Sequence, residues 1–474
     1  MMIKRILFIL LTFIQFSFAQ NYGSLRITNY ADDRQSAFSL TFDDGLKSQF
    51  VYAKPVLDNY GLKGTFYVLP PYLAENDAQA IWRYGTWPQF QTLASQGHEI
   101  GSHTMNHDTL TFLPWGNIST KGTLLYELYQ SKIFIDQKIP SAKCISFNYP
   151  YTIHNATVDS SAKLFYENAR ASGQSANDPV ITGNEWYGLK AKVVEFSLPR
   201  DLVDNDLDEL YTFLNWTQNS IDNKKWGMII IHDVIPFSQL DSLINQIYEP
   251  ITTEWLTWLC EFLYDKSQDS SLWVETVGNI TRYIKERENS SYQIISSTSS
   301  LIEINLTTSN LDNTIYNYPL SAYIKIPDEW YYVRTEQNGK VDTLTTILTD
   351  SGRVLLAKVI PNQGILKVSP ITATTVEQEV GNLTDFKLDQ NYPNPFNPST
   401  FIRYKIGIRE FVLLKVYDVL GNEVSTLVNE EQAPGDYEVK FSSSIGNLNL
   451  ANGIYFYRIQ AGSFVKTQKM ILLK

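Results

Sequence analysis

Short apolar runs alternate with amphipathic stretches from about residue 25 to 290. Phe38 to Phe42, Gly64 to Leu69, Cys144 to Phe147 and Met228 to Ile231 have the length and composition of buried strands. Between them lie helical patterns. One opens at Thr86 with Pro88 in its first turn and stops at Gly97. Another carries Leu125, Leu128, Tyr129 and Ile135 on one face. Strands alternating with helices over this length predict an α/β domain with a parallel sheet or barrel. After about residue 292 the period changes to two. Leu301 to Leu306 and Ala322 to Ile326 alternate, and Asn338-Gly339 marks a hairpin. A polar stretch follows, and the last segment is again all-β, with turns at Gly421-Asn422, Pro434-Gly435 and Asn452-Gly453.

The expected organisation is a barrel over residues 20–290, a sandwich-like accessory domain over 293–372, a linker at 373–386 and a second small β-domain over 387–474. Residues 1–19 form a signal peptide in this reading. Lys4 and Arg5 precede the apolar run Ile6 to Ile14, and Ser17-Phe18-Ala19 predicts cleavage before Gln20. That run is too short to span a bilayer comfortably, so no transmembrane segment is expected in the mature chain. A net charge of −11 argues against nucleic acid and anionic membranes as partners. The two cysteines, Cys144 and Cys260, lie in apolar settings and read as buried free thiols.

Four polar clusters each follow an apolar strand: Asp43-Asp44, His103 with His107, Asn148 to Tyr151, and His232. Barrel active sites are assembled at such strand ends. Two imidazoles four positions apart can share one metal ion with a carboxylate, leaving a position open for water. A second carboxylate can then serve as base. Alone, His-x-x-x-His is more often two surface or core histidines, and Asp-Asp a turn or cap. Their ordered recurrence after strands favours a site.

Thr41-Phe42-Asp43-Asp44-Gly45, Ser102-His103-Thr104-Met105-Asn106-His107 and Ile230-Ile231-His232 resemble motifs of the polysaccharide deacetylase (NodB-homology) family, carbohydrate esterase family 4. Gly61 to Tyr67 and Gly97 to Gly101 share its wording, and the likeness spans roughly residues 35 to 285. The resemblance implies a distorted barrel of parallel strands and helices. It implies that Asp44, His103 and His107 hold a divalent metal, usually zinc, sometimes cobalt or nickel. Asp43 would be the base acting on water, His232 the acid that protonates the leaving group, and the Tyr151 N–H the oxyanion donor, because Pro150 has none.

Two departures stand out. The family's Arg-x-Pro-Tyr reads Asn148-Tyr149-Pro150-Tyr151, so Asp43 is expected to be less stabilised as an anion. The aspartate that tunes the acid is not recognisable; Asp201 beside Arg200 is the candidate, although an ordinary surface ion pair explains it as well. Trp186, Tyr187, Tyr149 and Tyr151 could form sugar platforms, but core packing is the default for such rings, and only Tyr151 is singled out.

The C-terminal segment resembles the type A sorting domain of the type IX secretion system, through Asn391 to Thr400, Val416 to Gly421, Gly453 to Tyr457 and Lys469 to Lys474. That resemblance implies contact with the secretion machinery and export across both membranes of a Gram-negative cell, to the surface or beyond. The reading is thus a secreted, metal-dependent deacetylase acting on N-acetyl groups of a polysaccharide such as chitin or peptidoglycan. An O-acetyl esterase on xylan-like polymers and a non-catalytic glycan-binding protein are the alternatives. Residues 293–372 carry no functional motif and read as a spacer.

Overall fold

The computed structural model describes residues 22–473 except 81–82, 195–201, 244–245, 269, 372–385, 408, 420, 446–447 and 463. The expected signal peptide at 1–19, almost all of the 373–386 linker, and Asp201 lie outside the described residues.

After a short strand β1 (Leu25–Ile27), seven parallel strands form a ring: β2 (Ser36–Phe42), β3 (Gly64–Val68), β4 (Glu99–Ser102), β5 (Ser146–Asn148), β6 (Asn168–Ser172), β7 (Leu189–Val193) and β8 (Trp226–Ile231). Each pairs with the next, and β8 returns to β2 with Ile231 opposite Phe42, closing the barrel. A short parallel pair follows, β9 (Val234–Ile235) and β10 (Ile251–Thr252), and then β11 (Leu272–Val274), which flanks the start of β2. Helices α1 (Lys54–Asn59), α2 (Trp87–Ser95), α3 (Leu124–Lys138), α4 (Ala156–Ala162), α5 (Leu202–Asp222), α6 (Leu240–Leu243), α7 (Thr253–Gln268) and α8 (Val277–Glu288) lie between and after the strands.

Strand β2 shows why the pattern works. All seven of its residues are buried, yet the two faces differ. Phe38 meets Trp216 of α5, and Phe42 stacks on Phe66, which meets Phe90 of α2. On the other face the Thr41 hydroxyl donates to Ile229 O and Ser39 to Glu275 O. Asp43 continues this polar row beyond the strand, which carries it to the barrel mouth. Helix α2 begins as expected, with Thr86 and Gln89 closing a capping box. In α3, Leu124, Leu125, Leu128 and Ile135 are buried, Tyr129 is only half-buried, and Glu127 is fully buried. Both cysteines are buried and unpaired.

Two further cores are all-β. The first joins the sheet β1, Leu320–Lys325, Gly352–Val359 and Ile347–Thr349 to a five-stranded sheet that opens with Ser290–Ser297. Leu25–Ile27 thus pairs with Leu320–Lys325, although the alternation assigned it to the barrel stretch; three residues are too few to show a period. Asn338 and Gly339 both take positive φ (50° and 77°) in the expected hairpin turn. The second core, around Ile402, Leu414, Tyr457 and Met470, belongs to the C-terminal strands.

Glu286 of α8 ties the barrel to the first β-core. Both its carboxylate oxygens lie 3.1 Å from Tyr318 N, and burial raises its pKa from the ordinary 4.5 to about 8. A raised folded pKa contributes stability below the unfolded value, and that contribution is lost as pH rises towards 8. Glu286→Gln is therefore expected to raise Tm at pH 8 and to flatten the fall in Tm between pH 5 and pH 8. Thermal unfolding of both proteins at the two pH values checks this; parallel falls would contradict it.

Candidate active site

The Asp43 position is built from four strands. Asp43 follows β2, and its N–H donates to Ile231 O of β8 (2.9 Å). Its carboxylate Oδ2 accepts from Asn148 Nδ2 at 2.9 Å and from Arg170 Nη2 at 2.5 Å. Asn148 of β5 and Arg170 of β6 are direct partners in register, so both project to the same side. Arg170 is completely buried and lies 5.2 Å from the Tyr67 ring centroid. Burial pushes the Asp43 carboxyl up, but Arg170, with His103 and His232, outweighs it and holds the group below the usual carboxylate range. The expectation that Asn148 leaves Asp43 short of positive charge is thus corrected. The charge comes from the neighbouring strand.

Asp44, His103 and His107 converge. His103 Nε2 and His107 Nε2 are 3.1 Å apart, and Asp44 Oδ1 lies 3.5 and 3.7 Å from them. The His103 Nδ1–H donates to Asn148 O (3.0 Å), since a carbonyl can only accept. Nε2 then keeps its lone pair facing His107 and Asp44, as a metal ligand requires. Burial lowers the His103 pKa to about 4, and it lowers that of His107 as well. Two neutral imidazoles and one carboxylate suit a divalent ion such as zinc.

The loop carrying both histidines hangs from Glu127. One carboxylate oxygen accepts from Met105 N (3.0 Å) and Asn106 N (2.9 Å), the other from Asn106 Nδ2 (2.6 Å). Thr104 and His107 take positive φ (73° and 60°), a conformation that such anchoring sustains. Glu127→Ala is expected to weaken zinc binding about 10–100-fold, as for other groups that orient ligands. Competition titration against a chromogenic chelator measures it; unchanged affinity would contradict the role.

His232 ends β8. Its Nε2 lies 3.9 Å from Asp43 Oδ2, and its Nδ1 lies 3.1 Å from Glu249 Oε2. Burial pushes its pKa down, but Glu249, Asp43 and Asp44 push it up more, and it stands above the usual histidine value. Glu249 thus makes a carboxylate contact to His232 of the kind expected of Asp201, which lies outside the described residues. It is held by Asp233, whose Oδ2 accepts from Tyr248 N (2.9 Å) while Oδ1 accepts from Ser48 (2.7 Å). Gln49, wholly buried, donates through Nε2 to Asp43 O (2.5 Å) and His232 O (3.2 Å), clamping the two strand ends together.

Asp43, Asp44, His103, His107, His232 and Glu249 line a cleft of about 500 Å³ with Tyr72, Arg83, Tyr84, Tyr151 and Tyr248. Tyr151 is 58% exposed and packs edge-on against His107, with its backbone at φ 56°. Trp186, Tyr187 and Tyr149 are buried, as core packing predicts. Arg170, Glu249, Glu127 and Gln49 were not legible as site residues. Only Glu127, a carboxylate within the apolar pattern of α3, left a local sign.

Residues 31–168 match the polysaccharide deacetylase family, and residues 390–473 match the secretion system C-terminal sorting domain. A gellan lyase from a Bacillus species is 23% identical over 372 residues; the alignment covers 77% of this chain, which spans only 14% of that protein's length. Similar solved structures include a Mycobacterium smegmatis protein described as a polysaccharide deacetylase, at 12% identity and TM-score 0.37, covering 55% of this chain and 94% of that one. Another is the Xyl-CE4 domain of a multidomain xylanase from the hindgut metagenome of Trinervitermes trinervoides, at 18% identity and TM-score 0.28, covering 51% and 97%.

Proposed function

We propose that this chain, which carries a polysaccharide deacetylase domain and a C-terminal secretion sorting domain, is an exported enzyme that hydrolyses N-acetyl groups of a glycan such as chitin or peptidoglycan. The observation that carries the reading is a base and an acid held separately at one cleft. Asp43 is paired with Arg170 and Asn148, and His232 with Glu249.

The proposed chemistry follows from those pairings. A divalent ion held by Asp44, His103 and His107 supplies Lewis-acid polarisation when bound. Asp43, kept ionised by Arg170, takes the proton from the attacking water. The Tyr151 N–H is the backbone donor for the developing oxyanion. His232 gives its Nε2 proton to the leaving nitrogen while Glu249 accepts the Nδ1–H. An amine leaves poorly unless protonated, so this acid favours amide over ester substrates. Asn148 and the unrecognised acid-tuning aspartate are the sequence features that suggest a decayed site. Arg170 and Glu249 supply both missing functions in space, which supports catalysis.

In the proposed organisation the barrel within residues 20–290 catalyses, 293–372 with the β1 strand space, 373–386 link and 387–474 sort. The signal peptide and sorting domain together support passage across both membranes of a Gram-negative cell. Among the described residues no helix is long and apolar enough to cross a membrane. Acetate release by the full chain with zinc, measured on chitin oligomers, peptidoglycan and acetylxylan, tests the proposal. Release from the N-acetylated substrates is expected. Release from acetylxylan alone would move the assignment to an esterase, and none from any would overturn it.

A further inference from the structure

Part of the cleft wall plays no role in the proton transfers above. The segment from Arg83 to Gly85 is hydrogen-bonded onto the turn that follows the paired aspartates. Lys47 N donates to Arg83 O (2.9 Å), Gly85 N to Gly45 O (3.0 Å), and Leu46 bridges Tyr84 antiparallel. Arg83 is therefore mounted on the same turn that carries Asp44. Its guanidinium lines the cleft beside the Tyr72–Tyr84 ring pair (centroids 4.9 Å apart) and 6.0 Å from the Tyr248 ring.

Among the described residues no carboxylate lies within hydrogen-bond reach of that guanidinium. Asp44 and Asp233 lie 3.9 and 4.0 Å away, beyond a hydrogen bond. Both Asp233 oxygens already accept from Ser48 and Tyr248, and Asp44 belongs with the two histidines. The Arg83 Nε is buried without a partner among the described residues. Among those residues Arg83 is also the only lysine or arginine lining the cleft. Arginine's planar fork matches a carboxylate, and the adjacent rings offer apolar faces to a sugar.

We propose that Arg83 reads a carboxylate on a sugar bound at this cleft, so that the substrate is an acetylated, acidic glycan. The inference rests on the deacetylase reading and narrows its substrate. The carboxylate can belong to a uronic acid or to a lactyl ether. Two matched pairs of probes separate these sources: chitotetraose against an alternating GlcNAc–MurNAc tetrasaccharide, and neutral against glucuronate-substituted acetylxylo-oligosaccharides. The full chain is assayed for kcat/KM of acetate release and, independently of turnover, for Kd by calorimetry.

The acidic member of at least one pair is expected to be preferred about tenfold or more, as for hydrogen bonds to a charged group. The ratio should collapse towards unity in Arg83→Gln and be partly kept in Arg83→Lys. A preference in the first pair identifies a lactyl carboxylate, in the second a uronate. Equal kcat/KM and Kd within both pairs, or a preference untouched by Arg83→Gln, overturns the inference. If none of the probes releases acetate, the deacetylase reading fails, and calorimetry alone decides whether Arg83 selects acidic sugars.

Discussion

Arg170→Gln is expected to reduce acetate release about as deeply as Asp43→Asn, by roughly 10²–10⁴-fold, the usual share of a general base. The two residues form a buried ion pair, Arg170 fully inaccessible and Asp43 nearly so. Removing the cation takes away the strongest support of a carboxylate in a low-dielectric site and leaves the neutral Asn148 amide as its side-chain hydrogen-bond donor among the described residues. Such a group regains its proton rather than stay charged, and a protonated Asp43 cannot accept one from water. Breaking a buried pair from one side also costs about 3–5 kcal/mol of stability. Loss of activity must therefore be separated from unfolding. Arg170→Lys keeps the charge without the planar fork and should restore part of kcat, with KM near that of the wild type. A folded Arg170→Gln enzyme with wild-type kcat would show that Asn148 suffices.

The second large effect concerns the acid. His232→Ala should lower kcat on an N-acetyl substrate by about 10²–10⁴-fold and on an O-acetyl ester by much less, because an alkoxide departs more readily than an amine. Equal losses on both would remove the basis for preferring amides. Glu249→Gln tests the same dyad more gently. Glu249 is among the groups that raise the His232 pKa, and only protonated His232 can act as acid. The high-pH limb of kcat/KM should therefore move to lower pH in that variant. An unmoved limb would assign the titration to another group.

Much of the site can be read from local pattern. Asp43, Asp44 and His232 stand just past strands whose burial is written in consecutive apolar residues, and His103 follows the shorter Glu99–Ser102. The side-chain period carries polar groups to a barrel mouth wherever an inward-facing row continues beyond its strand. The helix opening at Thr86 is equally local, because capping depends on neighbours three residues apart.

The partners of those groups depend on ring closure. Arg170 is 127 positions from Asp43, in a strand, Asn168–Ser172, that has no apolar run to announce it. It reaches the base only because β6 pairs beside β5 with Arg170 opposite Asn148. Glu249 reaches His232 across a loop anchored by Asp233, and Glu127 reaches the histidine loop from a helix. The sequence by itself marked the candidate groups and the α/β domain of parallel strands that presents them. Tertiary structure alone decided which charges hold them, because electrostatic partners are set by distance in space and strand periodicity carries no record of it.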